Sequence, residues 1–187
     1  MKKSSILILI IICLCSCGKS SKKVSITGEI KGLGTDTLYL YGMDESFDRI
    51  DTIFAKNDKF SYTASIDTIT SAFLLIDNQT EYPIFLDKGN QIKIKGDTIN
   101  LNFLTISGNI YNEEFTDFQK ALEDPADPSE KAGEETVDKR ITVEKANTAE
   151  EMAEEFILQH HSSYVSLYLL DKYFVQKAVS YTHLRAH

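Results

Sequence analysis

The sequence predicts a mainly β protein, an antiparallel sandwich or barrel-like sheet of about eight strands, followed by an α-helical extension. The first observation is that apolar and polar residues alternate in short segments spaced roughly ten residues apart between Val24 and Ser107. The second is turn chemistry between these segments, such as Lys88-Gly89-Asn90. The third is a change to helical apolar spacing after Gly108.

Eight segments carry the strand pattern: VSITGEI, TLYLYG, RIDTIF, KFSYTASI, SAFLLID, YPIFLD, QIKIKG and NFLTISG. Most of them alternate, as KFSYTASI does with Phe60, Tyr62 and Ala64. SAFLLID is continuously apolar, which predicts a strand buried on both faces. Pro83 in YPIFLD lacks a backbone N–H and therefore favours an edge strand or a strand start.

The first helix is predicted to begin after Asn109, a candidate N-cap, and to end near Pro125. Its apolar residues recur at helical spacing: Tyr111, Phe115, Phe118 and Leu122. Asp127-Pro128 predicts a second helix start. Thr148-Ala149-Glu150-Glu151 predicts a third, and the stretch between these two starts is either a solvated helix or a linker.

The last predicted helix, HHSSYVSLYLLDKYFVQKA, is too apolar to stand free in water, so we expect it to dock on another part of the chain. Its large apolar residues are Tyr164, Leu167, Tyr168, Leu170 and Phe174.

The N-terminus has the features of an export signal. Lys2 and Lys3 form a basic head, and the apolar run Ile6–Leu14 is far shorter than the roughly 20 residues needed to cross a bilayer. All three cysteines lie here, as Cys13, Cys15 and Cys17. Their spacing fits neither a zinc site nor a C-x-x-C redox pair.

Leu14-Cys15-Ser16-Cys17 resembles the lipobox of bacterial lipoproteins. This resemblance implies that residues 1–16 are removed as a lipoprotein signal peptide and that Cys17 becomes the lipid attachment site and the new N-terminus. Residues 17–23 are then a polar tether to the β domain. The expected partner at this end of the chain is therefore a membrane, reached through the lipid on Cys17.

The net charge is −8, and the acidity is concentrated between Glu113 and Glu155, where fifteen acidic residues face five basic ones. No basic stripe is present, so we expect no nucleic-acid partner. The acidic segment is interpreted as a solvated helical face, with binding of a cation or a basic partner as the alternative.

Three short motifs are candidate functional sites. Asp48 and Asp51 are interpreted as an exposed strand face, not as a catalytic pair. His160-His161 is interpreted as a helix end in preference to a metal site. Gly32-Leu33-Gly34 is interpreted as a hairpin turn in preference to a phosphate loop. We therefore predict no catalytic, cofactor-binding or metal-binding residue.

Aromatic residues on the predicted strands offer one further alternative, a surface that binds a ligand. Strand packing is the preferred interpretation of these residues, because large aromatics are common in sheets. They are Tyr39, Tyr41, Tyr62 and Tyr82.

The order of several segments resembles the N-terminal region of lipid-anchored thioredoxin-like (AhpC/TSA/TlpA-type) thiol:disulfide interchange lipoproteins. The segments are SITGEIKGL, DRIDTIF, DKFSYTASI, FLDKGNQIKIKGD, ISGNIYNEEFTDF and FILQHHSSYVSLYLLDKY. In that family the corresponding region is a β-rich domain of unknown function, and a C-terminal thioredoxin-like domain carries a catalytic C-x-x-C. The mature chain contains no C-x-x-C, so we expect no enzyme activity from the chain as given.

The resemblance implies a non-catalytic N-terminal domain of a thiol:disulfide oxidoreductase. We expect it to be lipid-anchored at the outer membrane, facing the periplasm, with the catalytic domain as its protein partner. The alternatives are a stand-alone ligand- or partner-binding lipoprotein, and a surface assembly subunit with an open edge strand.

The domain boundaries follow from these interpretations. We place the β domain at 24–108 and the helical extension at 109–178. The last residues, 179–187 (VSYTHLRAH), resemble a translated sequencing adapter and are predicted to be a non-native tail.

Overall fold

The computed structural model describes residues 22–43, 47–123 and 137–176, and for residues 137–147 it describes the backbone alone. The predicted signal peptide, Cys17, the helix start at Asp127 and the tail at 179–187 lie outside the described residues.

All eight predicted strands are present, so the mainly β fold with a helical C-terminal part is confirmed. Their bounds are β1 Lys23–Lys31, β2 Thr37–Gly42, β3 Ile50–Lys56, β4 Lys59–Ser65, β5 Thr70–Ile76, β6 Thr80–Leu86, β7 Gln91–Asp97 and β8 Thr105–Ser107. A short 3₁₀ turn, Thr98–Asn100, precedes β8, and the Asp97 side chain caps it by accepting from the Ile99 N–H.

The strands form one sheet in the order β6-β5-β2-β3-β4-β1-β7-β8. β6 and β7 lie far apart in this order, yet only residues 87–90 connect them. So short a connection requires the sheet to curl until its two ends are close, which gives a nearly closed barrel. The expectation of a purely antiparallel sheet is wrong at one pair: the chain crosses the gap after β6, and β7 then runs parallel to β1.

Apolar side chains fill the barrel interior. Alternate residues of each strand point inward and are buried, as Leu38 and Leu40 are on β2 and Leu74 and Ile76 on β5. Gly28 faces inward on β1 directly opposite Phe60 of β4, whose ring takes the space that a side chain at Gly28 would fill.

In the part of the chain that the structure describes, three helices and one π-helical turn follow the strands. The helices are α1 Ile110–Glu123, α2 Val137–Gln159 and α3 Tyr164–Leu170, and the π-helical turn is Asp171–Val175. The Asn109 side chain accepts from the Asn112 N–H at 2.9 Å, which makes it the N-cap of α1 as predicted.

The predicted helix start at Thr148 is wrong, because α2 is continuous from Val137 and Thr148 lies in its interior. No Pro or Gly interrupts the chain there, and Ala, Glu and Lys favour helix. Of the two interpretations of this stretch, the helix is therefore the one observed from Val137 onward.

Helix α1 spans the gap between the two edge strands β6 and β8. Asn112 accepts from the Phe85 N–H at 2.9 Å and donates to the Phe85 carbonyl at 2.7 Å. Four residues later, Thr116 makes the same pair of hydrogen bonds with Ile106 of β8, both at 3.0 Å. Each side chain therefore pairs with an edge strand much as a neighbouring strand would, and at these positions the edges are not open to a partner strand.

The helices cover the outer face of β6. Phe85 points outward from this strand, yet it is fully buried because rings from α1 and α3 pack on it, among them Phe115 at 6.2 Å and Tyr168 at 6.5 Å between ring centroids. Pro83 lies in β6, which is an edge strand as the sequence indicated. β5 differs from the expectation of burial on both faces, because its outer residues are half-buried.

Within the described residues, no helix combines the length and the apolar character needed to cross a membrane.

Candidate functional site

The largest described cavity is a groove on the outside of the barrel, between the outer face of β5 and the C-terminal helix. Its volume is about 650 Å³, and Phe73, Tyr164, Leu167, Tyr168 and Lys172 are among the lining residues. A smaller cavity of about 220 Å³ lies beside it, between β6, α1 and the same helix. Because Glu81, Tyr168 and Lys172 line both cavities, we treat them as one site, named the outer groove.

Aromatic rings form one wall of the outer groove. Phe73 of β5 contacts Tyr41 of β2 at 5.8 Å and Tyr168 of α3 at 6.4 Å between ring centroids. Tyr168 in turn meets Phe115 edge-on at 5.4 Å. Desolvation by burial is the main cause that raises the pKa of the Tyr168 hydroxyl, so this hydroxyl is neutral at ordinary pH.

Lys172 supplies the positive charge of the outer groove. Its ammonium lies 5.6 Å from the ring centroid of Tyr168 and 5.4 Å from that of Tyr173, within the range of cation–π attraction. The residue as a whole is exposed, but partial desolvation beside these rings lowers the pKa of the ammonium. Lys172 belongs to the π-helical turn Asp171–Val175, a rare geometry that is frequent at functional sites.

Both acidic residues of the outer groove already accept hydrogen bonds. The Tyr41 hydroxyl donates to Glu81, and burial, with this bond as the second cause, raises the pKa of Tyr41. The Gln176 amide donates to Asp171 at 2.7 Å. Neither carboxylate forms an ion pair with Lys172, and no other described residue does so.

A second polar cluster joins α1 to the turn between α2 and α3. The Ser163 hydroxyl donates to Glu114 at 2.6 Å, and His160 Nδ1 lies 3.7 Å from the other oxygen of that carboxylate. Ser163 also caps α3 by accepting from the Val165 N–H at 3.1 Å. The carboxylate lies between serine and histidine, so the imidazole is not placed to take the serine proton. The cluster instead connects α1 to the turn between α2 and α3.

The predicted histidine pair lies at the end of a helix, as the sequence indicated. The predicted hairpin turn at Gly32-Leu33-Gly34 is wrong, because the two strands that this turn connects, β1 and β2, are not neighbours in the sheet. His160 directly follows the end of α2, donates its N–H to the Phe156 carbonyl and stacks on the Phe156 ring at 4.4 Å. Gly32 and Gly34 take positive φ values of 81° and 66° in the turn between β1 and β2. Among the described residues, no group of three or more His, Cys, Asp or Glu is arranged to hold a metal ion.

Asp48 and Asp51 differ in their surroundings. Asp48 is exposed, whereas Asp51 is half-buried and its carboxylate accepts from Arg49 Nε at 2.9 Å. The Tyr62 hydroxyl shares this cluster, and desolvation together with Asp51 raises the pKa of Tyr62 to about 12. The expected exposed strand face is therefore wrong for Asp51, which is engaged in an ion pair at one end of the barrel.

The four tyrosines weighed as an aromatic surface do not form one. Tyr39 and Tyr41 are half-buried on the outer face of β2. Tyr82 points into the barrel, where its hydroxyl donates to the Leu104 carbonyl at 2.8 Å, and Tyr62 lies at the barrel end. The Tyr82 hydroxyl also contacts the side-chain oxygen of Gln119 on α1.

An exposed apolar face borders the outer groove across β5, β2 and β3. Phe73, Tyr41 and Ile50 lie directly opposite one another on these three strands. Ile50 is 73% exposed, and Phe54, farther along β3, is 74% exposed. This set, Phe73, Tyr41, Ile50 and Phe54, is named the outer face.

Sequence reasoning missed Lys172 and the pairing roles of Asn112 and Thr116. Lys172 is one of many lysines, and nothing local marks it. The available signal for α1 was the pair of polar residues four apart, Asn112 and Thr116, beside the apolar stripe of a helix that must cover a sheet.

The fold and the outer groove define a β domain that is nearly closed into a barrel, sealed by one helix and flanked by two more. Residues 24–115 match the family model described as a domain of unknown function, DUF4369. The match covers the eight strands and the first part of α1. A search of curated proteins found no significant match.

Proposed function

We propose that this chain is the non-catalytic, lipid-anchored N-terminal part of an exported thioredoxin-like thiol:disulfide oxidoreductase, and that its barrel docks a protein partner. The observation that carries the docking role is the exposed outer face. A barrel with a filled interior and paired edges can offer a partner a side-chain surface, and large exposed apolar side chains such as Phe54 are typical of such surfaces.

Anchoring at Cys17 places the barrel close to the periplasmic side of a membrane. The covalent chain from Cys17 to Lys23, where β1 begins, can extend at most about 20 Å. The barrel then stays within one protein diameter of the lipid, which suits a module that orients a partner at a membrane surface.

The anchor is tested by metabolic labelling with an alkyne-tagged fatty acid in a bacterium that processes lipoproteins. We expect Cys17→Ser to lose the label and to leave the membrane fraction. Cys15→Ser is the matched control, because it changes a cysteine two residues away and should keep both. Label that persists on the Cys17→Ser protein would contradict the anchor.

The docking role is tested with the coding sequence beyond Ala178. We expect genomic DNA there to encode a thioredoxin-like domain with C-x-x-C, and that domain, expressed separately, should bind this chain. Phe54→Thr should weaken the complex about tenfold, as loss of one buried aromatic contact does. Ile99→Thr is the control, since Ile99 is 91% exposed and lies outside the outer face. Equal loss for both variants would refute docking at this face.

Absence of catalysis is tested with an insulin-reduction assay on the mature chain. We expect no turnover, because the residues from Cys17 onward contain one cysteine and no C-x-x-C. Robust turnover would refute the proposal.

The second candidate function is a stand-alone binding lipoprotein, which the outer groove favours because its volume falls in the range of small-molecule sites. A stop codon shortly after Ala178 in genomic DNA would support this candidate over the first.

A further inference from the structure

We propose that the outer groove binds a small organic acid, with the apolar ring or chain of the ligand against Phe73 and Tyr168 and its carboxylate at Lys172. This inference does not depend on the lipid anchor or on a thioredoxin-like partner, because it uses residues within the described chain alone.

The outer groove has the size and the apolar lining of a small-molecule site. Its two adjoining cavities, about 650 Å³ and 220 Å³, lie in the range of sites for small molecules. Phe73 on the sheet and Tyr168 and Leu167 on α3 line the larger cavity, and Leu167 is 62% exposed despite its apolar side chain. These residues can bury the apolar body of a ligand from two sides.

Lys172 gives the outer groove an unpaired positive charge. Lys172 is the cation that lines both cavities, and no described carboxylate lies within ion-pair distance of it. Its cation–π contacts with Tyr168 and Tyr173 hold the ammonium in place without neutralising it. A bound carboxylate would supply the missing counter-charge.

The two carboxylates that line the outer groove with Lys172 are hydrogen-bonded to other side chains. Glu81 accepts from the Tyr41 hydroxyl and Asp171 accepts from the Gln176 amide, so both are held by neutral donors. These bonds fix the two carboxylates on partners other than Lys172 and leave the ammonium available to a ligand.

The backbone around Lys172 has an unusual conformation. The π-helical turn Asp171–Val175 places Lys172 and Tyr173 beside the cavity, directly after the regular helix α3. Such turns are uncommon in proteins and occur often at functional sites. The turn therefore positions the cation at the cavity: the cavity lining fits the apolar body of the ligand, and the ammonium fits its carboxylate.

The test uses two probes of the same shape, 2-naphthoate and its neutral analogue 2-naphthamide, titrated into the full chain. Affinity is measured by calorimetry, and amide NMR shifts locate the bound probe. We expect 2-naphthoate to bind about tenfold more tightly, as one partly exposed charge-assisted contact allows. The shifted amides should include those of Phe73 and residues 167–176.

Variants then separate charge from packing. Lys172→Gln should remove the preference for the acid, whereas Lys172→Arg should keep it. Lys120→Gln is the matched control, because it removes one positive charge from an exposed position of α1 that lies outside the outer groove. Phe73→Ala should weaken both probes. Thermal unfolding of each variant verifies that it is folded.

The proposal would be overturned by binding of neither probe, by equal affinity for both, or by an effect of Lys120→Gln as large as that of Lys172→Gln. Amide shifts confined to residues outside the outer groove would also overturn it.

Discussion

At the scale of single residues, the absence of a side chain at Gly28 explains how the barrel interior closes around Phe60. A Cβ built on Gly28 would lie 2.1 Å from Cζ of Phe60, far inside van der Waals contact. Phe60 is itself 5% exposed and therefore has little room to move. The pair acts as one packing unit, in which the ring fills the space that glycine leaves.

Replacing Gly28 with Ala should lower the free energy of unfolding by about 1–3 kcal/mol, because an extra methyl group overpacks the interior. In a Phe60→Ala background, the same substitution should cost much less, since the ring that it meets is gone. Urea unfolding of the four proteins of this cycle measures the coupling. Equal costs in both backgrounds would show that the two residues do not share this space.

Local sequence does not identify the most consequential polar residues. Asn112 and Thr116 look like ordinary polar positions of an amphipathic helix, yet they are 1% and 4% exposed. These two side chains form hydrogen bonds with the backbone of Phe85 and Ile106 at the edges of the sheet. Without them, these backbone groups would be buried without partners.

At the scale of elements, helix α1 replaces the strand that would otherwise close the barrel. Its Asn112 pairs with β6 and its Thr116 with β8, so a single helical turn bridges both edges. The Asn109 amide adds a bond to the Phe85 carbonyl at 2.8 Å. We therefore expect the free energy of unfolding to depend strongly on these hydrogen bonds between α1 and the two edge strands.

Asn112→Ala should lower the free energy of unfolding by about 2 kcal/mol, because it leaves the Phe85 N–H buried without a partner. The Phe85 carbonyl keeps its bond from Asn109. Asn100→Ala is the control: that side chain makes one exposed hydrogen bond, and we expect a change below about 0.5 kcal/mol. Equal losses for both variants would refute the special role of Asn112.

Thr116→Val should cost a similar amount, about 2 kcal/mol, since it removes the hydroxyl but keeps the shape. Amide hydrogen exchange separates the two edges. We expect Thr116→Val to speed exchange at Ile106 more than at Phe85, and Asn112→Ala to do the reverse. Identical exchange patterns for the two variants would mean that α1 opens as a whole.

The helices also show where sequence reasoning succeeds and where it fails. Asn109 was recognisable as a cap, because N-capping is a local interaction between a side chain and a backbone group a few residues away. Thr148 has the same local signature, but there the chain continues an existing helix. A capping motif shows that a helix can begin, and it does not show that the preceding residues leave the helical conformation.

At the scale of the whole molecule, buried tyrosines make the folding stability fall at alkaline pH. Desolvation raises the pKa of Tyr82 and of Tyr168, and with Asp51 it raises that of Tyr62 to about 12. In the unfolded chain these groups ionise near pH 10. Above about pH 10 the unfolded state therefore releases protons that the folded state keeps, and folding stability falls.

We expect the free energy of unfolding to decline between about pH 10 and 12, with tyrosinate absorbance at 295 nm rising together with unfolding. Tyr82→Phe should reduce this pH dependence, although it also removes the hydrogen bond to Leu104 and lowers stability at neutral pH. A tyrosinate signal that rises fully before unfolding would show that these hydroxyls ionise in the folded protein.

The sequence by itself determined the eight strands, the cap of α1, the edge position of Pro83 and the expectation of a lipid on Cys17. These features depend on alternation, turn residues and motifs, which act over a few neighbouring residues. The tertiary structure alone decided the parallel pairing of β1 with β7, the bridge of α1 between β6 and β8, and the outer groove. Each joins residues distant in the chain, such as Phe73 and Lys172, which line one cavity because of how the sheet curls and where the helices pack.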